Sequence, residues 1–151
     1  MKNIYNPSEV TEAISRINKL NPSTQALWGK MDVAQMLAHC NVPYTYTYEI
    51  EKFKKPNFFK RFMLQVIVKP IVLGPKPYTK NGRTAPEFII SDKRDFAKEK
   101  EILIRNITKT QELGEKHFEG LENLSFGKMS AAEWNVLFGK HLDHHLSQFG
   151  V

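Results

Sequence analysis

At 151 residues the chain has the length of one domain, long enough to bury about two-thirds of its unfolded surface. Hydrophobic content of 41%, charged content of 25% and a net charge of +6 are those of an ordinary globular protein. The single cysteine, Cys40, excludes an intramolecular disulfide, and the start Met1-Lys2-Asn3-Ile4-Tyr5-Asn6-Pro7 lacks the apolar run of a signal peptide, so a cytoplasmic location is expected.

The elements read as helices. The first is expected from Pro7-Ser8 to Leu20, because Val10, Ile14, Ile17 and Leu20 recur at helical spacing and Asn21-Pro22 stops them. A loop from Pro22 to Met31 carries Trp28-Gly29-Lys30. The second helix starts at the N-cap Asp32, with Gln35 completing a capping box, and runs on through Tyr44 and Tyr48. Pro43 lies inside it and clashes with the carbonyl of His39, so a local kink is expected there.

Residues 57–72 read as a third, mostly apolar helix, ending at Lys69-Pro70 or Gly74. The stretch from Phe58 to Leu73 is interrupted by Lys60, Arg61, Gln65 and Lys69-Pro70, and is too short and too charged to span a bilayer. Glycine and proline then make residues 74–86 a long loop, of a length that is often functional. A fourth helix is expected from Ser91-Asp92 to Leu113-Gly114, with Phe96, Leu103, Ile107 and Thr110 on one face. After a second loop, the capping box Ser130-x-x-Glu133 opens a final helix that ends at Gly150. No run alternates with period two long enough to argue a sheet. The expected fold is all-α: one domain over residues 1–151, an up-down bundle of four main helices with an additional short one.

Charge is uneven along this frame. Residues 51–83 hold nine lysines and arginines against one acid, Glu51. Such a segment suits nucleic acid, anionic lipid or an anionic small substrate, or is a solvated surface. No zinc-finger spacing, aromatic RNA-binding pattern or GxxG loop accompanies it, so nucleic acid is not the first choice of partner.

The final helix carries the chemistry. His141 and His145 are four residues apart, which places both imidazoles on one helical face, roughly 6 Å apart between Cβ atoms. With Trp134 at zero and about 100° per residue, Leu137, Phe138, Leu142 and Phe149 span an arc from roughly −60° to +80°, and the two histidines sit near −20° and +20° in its middle. His144 falls near −80°, at the edge, and Gln148 near −40°. Two histidines on a buried face need partners, which are either a metal ion or hydrogen bonds to carbonyls and carboxylates. The remaining ligand candidates are His39, His117, Cys40 and the carboxylates. Periodicity permits His39 without selecting it, since His39 falls near −120° from the main apolar face of its helix. Cys40 reads as a small core residue and His117 as an exposed loop residue.

Three segments carry a family resemblance: Trp28-Gly29-Lys30-Met31 leading into Gln35-Met36-Leu37-Ala38-His39-Cys40; Phe126-Gly127-Lys128-Met129-Ser130 leading into Glu133-Trp134; and Lys140-His141-Leu142-Asp143-His144-His145-Leu146-Ser147-Gln148-Phe149-Gly150. On these the chain resembles the DinB/YfiT-like superfamily of metal-dependent enzymes, in a small branch that is a domain of unknown function. Residues 50–115 match only in helical character. The resemblance implies a DinB-like four-helix bundle holding one divalent metal, zinc or nickel, on His39, His141 and His145. It places His144 between the ligands and Gln148 one turn further on, and these two are the candidate catalytic residues, with Tyr44 also near by helical phase. Characterised relatives, mycothiol-dependent maleylpyruvate isomerase and bacillithiol transferases, imply a small-molecule partner, a low-molecular-weight thiol activated as thiolate. A metal-assisted hydrolase is the nearest alternative. A non-catalytic stress-response or binding module using the basic segment 51–83 is another, and a homodimer is left open. Clustering of the basic side chains discriminates these readings: a spread around the surface weakens the binding module, and a rim around the metal cleft favours an anionic substrate.

Overall fold

The computed structural model describes Met1 and residues 3–151, and it is mostly helical, as expected for an all-α protein. Helix α1 spans Pro7–Lys19. Asn6 caps it by accepting from the Ser8 N–H, and Pro7 occupies the first turn, where its missing N–H costs nothing. Helix α2 spans Val33–Tyr48 and opens with the anticipated capping box: Asp32 accepts from Gln35 N–H while Gln35 accepts from Asp32 N–H. It runs on through Pro43 to Tyr48.

The third expected helix is a composite. A short helix α3, Phe58–Met63, passes through a wide π turn, Leu64–Val68, into α4, Lys69–Leu73, which ends at Gly74. Apolar though it is, every residue of this composite is at least partly exposed. The helix expected from Ser91-Asp92 begins later. Helix α5 spans Phe96–Phe118, and its cap is Asp95, whose carboxylate accepts from Lys98 N–H. Asp92 instead pairs with Arg94 at 3.1 Å, so of two candidate caps the one nearer the apolar run prevails. The regular helix does break at Gly114, where its end is expected. That residue takes a positive φ of 69°, after which a further turn delivers Phe118 into the core.

The loop that follows contains a minimal hairpin. Strand β1, Glu122–Asn123, pairs antiparallel with β2, Gly127–Lys128. Two-residue strands cannot show alternation, which is why the sequence carries no sign of them. Helix α6, Ala131–Gln148, starts at the capping box of Ser130 and Glu133.

One contiguous core joins α1, α2, α5 and α6. Ile17 from α1, Met36 and Leu37 from α2, Leu103 and Ile107 from α5, and Trp134, Phe138 and Leu146 from α6 are all fully buried in it. Each such side chain contributes about 1.5–3 kcal/mol by leaving water. Helix α2 lies centrally, against both α5 and α6, and ten of its first twelve residues are buried. Its facing stripe toward α6 includes His39. Among the described residues no helix is long and apolar enough to cross a membrane.

Candidate metal centre

His39 on α2 meets His141 and His145 on α6. The ring centroids are 4.8 Å apart for His39 and His141, 4.5 Å for His39 and His145, and 4.8 Å for His141 and His145. One potential ligand nitrogen from each ring lies within 4.8 Å of the other two. His39 Nε2 and His141 Nε2 are 2.9 Å apart. The three rings form a near-equilateral cluster, assembled from a helix-periodic pair and one residue 102 positions earlier in the chain.

The far side of two rings is tied down, and this fixes their tautomers. His39 Nδ1 lies 2.8 Å from the carbonyl of Phe88. A carbonyl only accepts, so Nδ1 carries the proton and Nε2 presents its lone pair to the cluster. On the other side, Gln148 Nε2 donates to the carbonyl of Trp28 at 2.7 Å, which leaves Gln148 Oε1 facing His145 Nδ1 at 2.8 Å. His145 Nδ1 is therefore the donor, and its Nε2 is free. The Leu27 N–H donates to the Gln148 carbonyl at 2.8 Å and locks the same loop to the end of α6. Metal-binding histidines are commonly oriented in this way, by a bond from the other ring nitrogen.

Burial keeps the cluster neutral. His39 is 4% exposed and His145 8%. Loss of hydration lowers the pKa of His145 to about 3, with the neighbouring His39 adding to the effect. It lowers that of His141 well below the usual imidazole value, helped by His145 and His39. It also lowers that of His39, although the bond to Phe88 acts the other way. Neutral imidazole is the metal-binding form.

The donor set fits a divalent ion. Three nitrogen ligands with an open fourth position are typical of catalytic zinc sites, where Zn–N is about 2.0–2.1 Å. That length sets tetrahedral nitrogens about 3.4 Å apart, so a separation of 4.8 Å closes by about 1.4 Å on binding. No carboxylate belongs to the triad.

The other candidates lie around this centre or away from it. His144 is half-buried, edge-on to the rings of Trp28 at 6.0 Å, Tyr78 at 5.6 Å and His145 at 4.9 Å. Burial lowers its pKa against the opposing pull of Asp143. Tyr44 is buried in the core and stacks on Phe138 at 4.4 Å. Cys40 is buried with its thiol on Met36 Sδ at 3.7 Å, outside the triad. His117 is exposed, and the helical turn after Gly114 carries it, not a loop.

Sequence reasoning missed the supports. The Phe88 carbonyl and the Trp28 carbonyl are main-chain groups, invisible to any side-chain motif. The available signals were the Trp28-Gly29-Lys30 segment and the length of the loop after α4, which brings Tyr78 and Phe88 to the site. Lys140 fastens that loop. Its ammonium donates to the carbonyls of Gly74 at 2.8 Å and Val72 at 3.2 Å, and lies 4.3 Å from the centre of the Tyr78 ring.

The basic segment is partly neutralised, five of its nine cations being paired with four carboxylates. Lys52 pairs with Glu49, Lys55 and Arg61 with Glu122, Lys60 with Glu87, and Lys69 with Glu133. Lys80 lies 4.3 Å from the centre of the Trp28 ring, beside the site. The segment thus does not present nine free cations to a polyanion.

No curated protein and no solved structure matches the chain. A family profile does match, over residues 5–150. The chain belongs to that family, whose description is "Protein of unknown function (DUF1569)".

Proposed function

We propose that this protein is a metal-dependent enzyme, a single domain built as a DinB-like up-down four-helix bundle, that acts on a small molecule through a divalent ion held by His39, His141 and His145. The observation that carries the reading is the convergence of three neutral imidazoles, two of them buried and the third half-buried, with His39 Nε2 and His145 Nε2 left unprotonated by the bonds on their far sides. Zinc or nickel suits such nitrogen donors. When bound, the ion supplies a Lewis acid with an open position, able to lower the pKa of a substrate thiol or water.

The chain's own residues then have separable roles. His39 and His145 are aimed by Phe88 and Gln148. Gln148 acts through His145, since both ends of its amide are engaged. His144, neutral and half-buried at the edge of the cluster, is placed to accept a proton from a substrate. Trp28, Tyr78 and Phe88 supply an apolar surround. A triad without carboxylates leaves the ion's charge uncompensated, which favours an anionic substrate donor such as a low-molecular-weight thiolate. A thiol-dependent transferase in the cytoplasm is therefore the leading reading. The non-catalytic binding module loses support from the ion pairing of segment 51–83.

The test is metal analysis of protein purified without a histidine tag, followed by cobalt substitution. A thiol that binds through sulfur adds a charge-transfer band in the near ultraviolet. If no natural thiol changes that spectrum, while an ester or amide is turned over by the metal-loaded protein and not by His145→Ala, the function is hydrolysis.

A further inference from the structure

The composite helix α3–α4 turns a mostly apolar stripe outward. Its exposed positions are Phe58, Phe59, Phe62, Met63, Val66, Ile67, Pro70 and Ile71, interrupted only by Lys60. Phe58 is 87% exposed, Phe59 72%, Val66 56% and Ile71 67%. On an ordinary α-helix each pair would drift about 40° from the one before, because four residues advance about 400°, so the last pair would lie about 120° around from the first. The π turn at Leu64–Val68 takes up the slack: its extra residue per turn brings Val66-Ile67 and Pro70-Ile71 onto the face that carries Phe58-Phe59 and Phe62-Met63. The backbone irregularity thus keeps the apolar stripe straight along the outside of the molecule, where burial inside the chain gains nothing from it.

We infer that this stripe is the interface of a homodimer, with the helix of a second copy laid antiparallel across it. Three observations select this occupant. First, size: the exposed parts of these side chains amount to roughly 700–800 Å², close to the ~800 Å² per partner of a standard stable interface. Second, shape: the first half of the stripe is bulky, with three phenylalanines and a methionine, and the second half is smaller, with valine, proline and two isoleucines. A two-fold axis between Leu64 and Gln65 sets Phe58 against Ile71, Phe59 against Pro70, Phe62 against Ile67 and Met63 against Val66. Each large residue then meets a smaller one, which is what interdigitation requires. Parallel pairing would set phenylalanine on phenylalanine. Third, charge: the flanks are of mixed sign, since Lys60, Arg61 and Lys69 are matched with Glu87, Glu122 and Glu133, all three partly exposed. A mixed polar rim is usual at a protein interface, whereas partly exposed carboxylates oppose an anionic bilayer.

The experiment is sedimentation of the full chain between about 1 and 100 µM, together with the variant Phe62→Glu/Val66→Glu. The wild type is expected at twice the 17.5 kDa of the chain, and the variant at that single mass with an unchanged helical spectrum. Both replaced residues are exposed, so the fold does not depend on them. Cross-linking tests the register. Phe58→Cys/Ile71→Cys should give a disulfide-linked dimer, and Phe58→Cys alone should not, because antiparallel helices hold the two positions 58 about 20 Å apart. The native Cys40 is buried and does not interfere. A wild type that stays monomeric throughout overturns the inference, as does a dimer that survives the double glutamate variant. So does a monomer that floats with anionic phospholipid vesicles through this stripe, which would make it a membrane face. None of these results depends on metal, so they leave the proposed chemistry standing or falling by its own test.

Discussion

Gln148 fills the space where a side chain on Gly29 would begin. A Cβ built on Gly29 runs into Gln148 Nε2, and Gly29 itself has φ of +91°, a conformation that side-chain-bearing residues rarely adopt. The contact explains why Trp28-Gly29 belongs to the site although neither residue can bind a metal. The Trp28 carbonyl must reach the Gln148 amide, and only glycine lets the chain turn that close. Gly29→Ala should therefore cost about 1–3 kcal/mol of stability. Gln148→Ala should lower metal affinity by about 10–100-fold while leaving the helices intact, as loss of a ligand's outer partner does elsewhere. Competition against a chromophoric chelator measures it. Unchanged affinity would mean that His145 does not need Gln148 for its orientation.

Metal should stabilise the native state by mass action, since the three ligands converge only when α2 and α6 are packed. At about a thousand times Kd the gain is about 4 kcal/mol. Chelator should lower Tm of the metal-loaded wild type. His141→Ala should abolish that response, and His117→Ala should keep it. A chelator response that persists in His141→Ala places the metal elsewhere.

The metal-free protein should lose stability on mild acidification. An unfolded imidazole titrates near 6.5. In the folded protein His145 is lowered to about 3, and His39 and His141 are lowered as well, by burial first. Below pH ~6.5 the unfolded chain thus binds more protons than the folded one. The histidines' contribution is complete above that pH and is lost progressively as pH falls toward 3. Between pH ~6.5 and 5 carboxylates hardly titrate, so this window isolates the histidines. Tm should fall across it in wild type and fall less in His145→Ala. A Tm that rises from pH 6.5 to 5 would contradict the burial of neutral rings.

Lys140 should matter to the covering loop more than to the metal. Its ammonium bridges the carbonyls of Val72 and Gly74 and sits over Tyr78. Lys140→Met keeps the aliphatic stem but removes these charged hydrogen bonds, at a cost of about 1–2 kcal/mol. Hydrogen exchange of residues 71–78 should accelerate, with metal affinity changed less than in Gln148→Ala. Equal loss of metal affinity in both variants would mean that the anchor at residues 72–74 is what holds the Phe88 carbonyl against His39.

Local information wrote much of this molecule. The capping boxes at Asp32–Gln35 and Ser130–Glu133 depend on residues three apart, and both helix starts follow them. The His141–His145 pair needs only the helical repeat to share a face. What lies beyond the reach of such rules is set by partners distant in the chain. His39 could not be selected by periodicity because α2 is central, and a helix buried on nearly every side has no distinguishing face. Its role appears once α2 and α6 are side by side. The start of α5 at Asp95, the turn that carries Phe118 inward and the two-residue hairpin were decided by competition among caps and by core burial. The outward apolar stripe was hidden for a similar reason. Helical spacing at 100° per residue assumes an unbroken α-helix, and the π turn that aligns the stripe exists only in the folded backbone. The carbonyls of Trp28 and Phe88 carry no residue identity at all, so the sequence by itself singled out the His141–His145 pair, while tertiary structure joined His39 to it and decided which nitrogen His39 and His145 offer.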